Sequence, residues 1–158
     1  MSAVPQTRMS YAPMRREDLA EVFAIESAAY EFPWTQGNFR DSLGSGYQCW
    51  VCREGGNGTG RMVGYFVLMV AAGQAHLLNL CVAIGRQRRG CGWQILEQAL
   101  GVAREQHAAS FFLEVRPTNI PARQLYSRAG FAEVGVRRDY YPASGRREDA
   151  LVMEKGLT

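Results

Sequence analysis

Leu77-Leu78-Asn79-Leu80-Cys81-Val82-Ala83-Ile84-Gly85-Arg86-Gln87-Arg88-Arg89-Gly90-Cys91-Gly92-Trp93 passes from an apolar strand through a basic, glycine-bearing turn into a helix. Gly90 and Gly92 leave the backbone bare where that helix begins. The first N–H groups of a helix have no intrahelical partner, and its dipole places roughly half a positive charge there. Such ends take phosphates readily. Arg86, Arg88 and Arg89 add fixed positive charge, so the stretch reads as a cradle for a pyrophosphate. A glycine-punctuated loop with solvated arginines is the competing reading. The spacing matches neither G-x-x-x-x-G-K-[ST] nor G-x-G-x-x-G followed by a ribose-binding acid.

Working outward, Gln74–Val82 is the strand that enters the turn. Trp93, Leu96, Ala99, Leu100 and Ala103 mark the buried face of the helix that leaves it. Upstream, Tyr47–Glu54 and Met62–Val70 form a hairpin across the glycine-rich Gly55–Gly60. Met9–Met14 is a first strand, and Arg16–Tyr30 is a helix with Glu17 and Asp18 in its first turn. Pro33 ends that helix, and Thr35 caps a second one over Gln36–Leu43. Downstream, the nearly continuous apolar run Ser110–Val115 has the character of a buried parallel strand. Asn119 then caps a helix with Pro121 in its first turn, and Gly130 stands where a left-handed residue is wanted. Phe131–Tyr140 and Asp149–Glu154 close the chain as a hairpin. The order β-α-α-β-β-β-α-β-α-β-β describes an α+β chain on a mixed sheet.

A length of 158 residues suits one domain, expected over residues 9–158 behind a flexible N-terminal tail of residues 1–8. No stretch approaches the ~20 apolar residues of a membrane span, and the first eight residues lack an apolar secretion core, so a cytoplasmic location is expected. Cys49-x-x-Cys52 has no second C-x-x-C to complete a zinc site, and residues three apart in a strand face opposite sides. No metal is expected. The basic residues are local clusters rather than a broad face with base readers, so direct nucleic-acid binding is not expected.

Transfer of an acyl group to an amine needs a neutral amine, donors for the developing oxyanion and an acid for the leaving group. Only His76 and His107 offer imidazoles, and neither adjoins a motif. Glu114, inside Phe111-Phe112-Leu113-Glu114-Val115, is the better base, because burial raises a carboxyl pKa toward useful values. The alternative is an ion pair with Arg116, two residues on along the same strand face. Tyr126 is either an acid for the leaving group or a core tyrosine with a satisfied hydroxyl. Phe32-Pro33-Trp34 is either a hydrophobic staple or one wall of a substrate cleft.

Gln87-Arg88-Arg89-Gly90-Cys91-Gly92 resembles the Q/R-x-x-G-x-G/A signature of the GNAT superfamily of N-acetyltransferases. Leu113-Glu114-Val115-Arg116-Pro117-Thr118-Asn119, Leu125-Tyr126 through Gly130-Phe131, Arg138-Asp139-Tyr140-Tyr141 and Arg147-Glu148-Asp149-Ala150 follow in the order of its RimI branch. That branch acetylates the N-terminal alanine of a small-subunit ribosomal protein. The resemblance spans roughly residues 9 to 155. It implies a seven-stranded mixed sheet with four helices, in which strands four and five splay apart to admit acetyl-coenzyme A. It implies Glu114 as proton acceptor and Tyr126 as proton donor. Backbone groups of Leu80, Cys81 and Val82, together with Asn119, would hold the pantetheine arm. Arg88, Arg89, Gly90, Cys91, Gly92 and Trp93 would hold the pyrophosphate. Phe32, Pro33, Tyr140 and Tyr141 would frame the N-terminus of a protein substrate. Trp93 stands where relatives often carry a cation, and Ala83-Ile84-Gly85 replaces an Asp-Pro turn. A small amine, an antibiotic or a lysine side chain is the alternative acceptor, and a non-catalytic acyl-coenzyme A sensor is the alternative class.

Overall fold

The computed structural model describes residues 8–87 and 90–158. The expected tail lies outside the described residues except for Arg8, whose carbonyl accepts from Gly55 N at 2.9 Å. The strands are β1 (Met9–Pro13), β2 (Gln48–Glu54), β3 (Met62–Ala71), β4 (Gln74–Val82), β5 (Ser110–Val115), β6 (Ala132–Tyr141) and β7 (Glu148–Gly156). The helices are α1 (Leu19–Ala29), α2 (Gln36–Gly44), α3 (Cys91–Glu105) and α4 (Ile120–Arg128). The strands make one sheet in the order β1-β2-β3-β4-β5-β7-β6. β4 and β5 are parallel, in register from Gln74 with Ser110 to Leu77 with Leu113. β1 with β2, β5 with β7, and β7 with β6 are antiparallel. This is the mixed sheet expected from the order of elements. The chain forms two compact units, one of residues up to Val67 with Asn79–Gln98, the other of Leu68–Leu78 with Ala99–Thr158.

In the first unit, helix one starts later than expected. Arg16–Asp18 is a single 3-10 turn before α1. Asp18 is the reason: it is buried, accepts from Arg15 N at 2.8 Å and pairs with Arg53 at 3.1 Å, which tightens the entry turn. Thr35 caps α2 as expected, with Thr35 Oγ1 accepting from Asn38 N and Asn38 Oδ1 accepting from Thr35 N. Val22, Phe39, Met62 and Tyr65 anchor the core of this unit, and Cys91, Ile95 and Leu96, rather than Trp93, are the buried residues of the first turns of α3. Gly64 is there for close approach, since a Cβ would lie 2.3 Å from the carbonyl oxygen of Cys81.

In the second unit, β5 alternates buried and half-buried positions between β4 and β7. Asn119 Oδ1 caps α4 at Ala122 N, and Gly130 takes a φ of 96° after it. Phe131 then packs edge-on against Phe111 and Tyr126. β6 is the last strand of the sheet and is exposed almost throughout. Its register slips between Arg137 and Tyr141, where Asp139 adopts a φ of 53°. Arg147 donates to the carbonyls of Asp139 and Tyr140, and Asp149 accepts from Asp139 N, so the bulge is held by charged side chains.

Candidate active site

The first unit carries the turn between β4 and α3. Gly90 has a φ of 78° with open space where a side chain would sit, and its carbonyl accepts the first helical bond, from Gln94 N. Backbone N–H groups at Cys91 and Gly92 therefore begin a fifteen-residue helix without a side chain at Gly90 in front of them. Arg88 and Arg89 lie outside the described residues. Arg86 departs from expectation: it forms a close ion pair with Glu54, so its charge is spent within the protein. Trp93 is half-buried beside Tyr11, Gln94, Glu97 and Gln98 in a shallow depression. On β4, the carbonyl of Leu80 accepts from Tyr30 Oη at 2.9 Å and that of Val82 from Gln87 Nε2 at 3.1 Å. Phe32 and Pro33 are exposed, and the next residue, Trp34, donates its N–H to Glu26.

Glu26 was expected only as part of a helical face. It is fully buried in α1 and its carboxylate accepts from Tyr65 Oη at 2.6 Å, Asn79 Nδ2 at 3.1 Å and Trp34 N at 2.9 Å. One side chain thus ties the Phe32-Pro33 loop to the strand residue before Leu80.

The second unit carries the acid and base candidates. The side chain of Glu114 is 5% exposed. Its partner is not Arg116, which pairs with Glu148 at 3.0 Å and stacks over Tyr141. Instead Glu114 Oε1 accepts from Arg137 Nε at 2.9 Å, and Oε2 lies 2.5 Å from His76 Nε2. The sheet explains both contacts. His76 pairs with Phe112 in the parallel register, and a period of two puts Glu114 on that same face. Across the row from Glu114 stand Val152 and then Gly135, and Arg137, two residues past Gly135, reaches back over the missing side chain. Sequence reasoning set His76 aside because it adjoins no motif. The signal that finds it is the pairing of β4 with β5, which no local pattern contains.

Tyr126 retains 8% exposure, and burial pushes its phenol from 10 up to about 12. It therefore stays a neutral phenol throughout the physiological pH range. Burial also raises Tyr140 and Tyr141, which meet edge-on at 4.8 Å. Asn119 commits Oδ1 to the helix cap, leaving its amide N–H groups as the donors.

The cysteines fit a packing role. All four are buried thiols outside any disulfide, and burial raises the Cys81 thiol to about 11, the opposite of an activated nucleophile. Cys49 rises to about 11 and Cys52 to about 12 for the same reason. Each of these thiols and the Tyr126 phenol has a folded pKa above its unfolded value. Their contribution to stability is complete below pH 9 to 10 and lost as pH rises through the folded values. From these groups the melting temperature is expected to change little between about pH 7 and 9 and to fall steeply from 9 to 12. Tyr126 alone accounts for roughly 2 kcal/mol of that loss by pH 12. Calorimetric scans across that range check it, and a flat profile to pH 12 refutes it.

The strand order and the glycine-opened start of α3 are those of an acyl-transferring enzyme, and the chain belongs to the GNAT family of acetyltransferases, whose family model matches residues 19–131. That family uses acetyl-coenzyme A as acetyl donor. The chain is 34% identical, over 136 residues, to the [ribosomal protein bS18]-alanine N-acetyltransferase of Escherichia coli K12, covering 86% of this chain and 89% of that one. It is 30% identical to the putative [ribosomal protein bS18]-alanine N-acetyltransferase of Bacillus subtilis, over 94% and 95% of the two chains. The crystal structure of the ribosomal-protein-S18-alanine N-acetyltransferase from Escherichia coli superposes with a TM-score of 0.85 at 31% identity, covering 96% of this chain and 95% of that one. The NatC complex bound to Gag peptide and CoA shares the fold alone, at 20% identity and a TM-score of 0.79. Among the described residues no helix is long and apolar enough to cross a membrane, and no cluster of three metal-ligating side chains occurs.

Proposed function

We propose that this enzyme acetylates the α-amino group of the N-terminal alanine of a small-subunit ribosomal protein, in the cytoplasm, with residues 9–158 acting as one catalytic domain. The observation that carries this reading is the 34% identity, over most of both chains, to the bS18-alanine enzyme of Escherichia coli.

Bound acetyl-coenzyme A supplies an activated acetyl thioester. In this reading the start of α3, from Arg88 and Arg89 through Gly90, Cys91, Gly92 and Trp93, holds its pyrophosphate. Main-chain groups of Leu80, Cys81 and Val82 and the Asn119 amide hold the pantetheine arm. The open position at Gly90 suits a phosphate oxygen approaching bare N–H groups. Phe32, Pro33, Tyr140 and Tyr141 flank the peptide. A peptide α-amino group titrates near ~8, so much of it is neutral at working pH and the base has a modest task. Glu114 takes the proton that the amine loses as its nitrogen bonds to the acetyl carbon, directly or through one water. Tyr126 gives its phenolic proton to the departing sulfur. This chemistry draws on no metal, membrane or nucleic acid.

Incubation with acetyl-coenzyme A and a panel of short peptides, read by intact mass, tests the proposal. A gain of one acetyl group at the α-amine of alanine-initiated peptides is expected. Turnover confined to polyamines, aminoglycosides or lysine side chains overturns the peptide assignment, and binding of coenzyme A without turnover of any amine overturns the enzyme reading.

A further inference from the structure

The contact between His76 and Glu114 has no place in the reaction as set out above. Its geometry is specific. The imidazole is 13% exposed, its ring stacks on Phe112 with centroids 4.2 Å apart and planes 17° apart, and Nε2 lies 2.5 Å from Glu114 Oε2. Stacking fixes the ring plane, and the plane fixes where Nε2 points. The other oxygen of the same carboxylate is taken by Arg137 Nε at 2.9 Å. Glu114 is thereby held at both oxygens, one to β4 and one to β6. Each carboxylate oxygen has two lone pairs, so each keeps one free to accept an amine proton.

We infer that His76 is a positioning residue for Glu114: its Nε2–H donates to Oε2 and orients the carboxylate toward the incoming amine. This rests on Glu114 being the base. The amine's proton, once on Glu114, passes to water before the next cycle, which restores the carboxylate.

The other ionisable groups facing Glu114 are Arg137, Tyr140 and Tyr141 of β6, with Arg116 and Tyr126 beside Tyr141. Burial raises all three phenols above their ordinary value, so they stay neutral through pH 9.

Steady-state kinetics on an alanine-initiated peptide, with wild type, H76Q, H76L and E114Q, test the inference. Gln presents an N–H near the position of Nε2 but does not titrate, whereas Leu does neither. In H76L, kcat is expected to fall about ten- to a hundredfold, as when an orienting hydrogen bond to a reacting group is removed, with KM for acetyl-coenzyme A unchanged. In H76Q part of kcat is expected to return, while the acid limb of the kcat/KM profile moves by half a pH unit or more. A role confined to packing leaves that limb in place. Unchanged kcat and an unmoved acid limb in both His76 variants, alongside an inactive E114Q, overturn the inference and leave the base assignment standing. Full activity in E114Q overturns both.

Discussion

Glu114→Gln is expected to lower kcat/KM for an alanine-initiated peptide by about 10²- to 10⁴-fold, the range a positioned general base contributes. The substitution keeps the shape of the side chain and an oxygen for Arg137, but an amide cannot take the proton that the amine must lose. Burial makes the loss severe, because a side chain 5% exposed leaves little room for bulk water to substitute for the missing base. Affinity for coenzyme A, measured by calorimetry, is expected to stay within about twofold, since no part of this carboxylate is assigned to cofactor binding. The loss should ease as pH rises above ~8 and the free amine deprotonates in solution. Peptide acetylation at wild-type rate in E114Q refutes the assigned role, whatever else the variant does.

The second large effect concerns stability and lies in the other unit. Glu26→Ala removes an acceptor that serves three donors at once: the Tyr65 hydroxyl, the Asn79 amide and the Trp34 N–H. Tyr65 has no exposure, so its hydroxyl cannot turn to solvent. At ~1–3 kcal/mol for each buried donor left without a partner, the variant is expected to lose roughly 3–5 kcal/mol. For a chain of this size that corresponds to a fall of roughly 6–20 °C in Tm. Urea denaturation followed by far-ultraviolet dichroism measures it. Glu26→Gln, which keeps an acceptor oxygen, should recover part of the loss. A variant as stable as wild type would show that water or another acceptor already serves these groups. Because the same carboxylate ties Trp34 to Asn79, E26Q is also expected to raise KM for the peptide more than it lowers kcat.

Local chemistry made much of the fold legible. Gln74–Val82 and Ser110–Val115 coincide with β4 and β5, each a short, mostly apolar stretch of strand length. Thr35, Asn119 and Gly130 fix helix ends through capping and backbone freedom, which act over three or four residues and so leave a mark in sequence. The motifs around Leu113–Asn119 and Leu125–Phe131 carried the family, which the comparison with known acetyltransferases supports.

Partners distant in the chain were not legible. Arg116 stands two residues from Glu114 and was its natural neighbour by sequence, yet Glu148, 32 residues away, takes it. His76 is 38 residues from Glu114, and Glu26 is 53 from Asn79. Charges choose partners by distance through space, and that distance follows strand order and register, which depend on how the whole sheet is assembled. The sequence by itself determined the elements, their caps and the family, because helix ends, strand periodicity and motif order are properties of neighbouring residues. Which carboxylate meets which cation was decided only by the tertiary structure, because the parallel pairing of β4 with β5 and the bulge in β6 bring together side chains that nothing local connects.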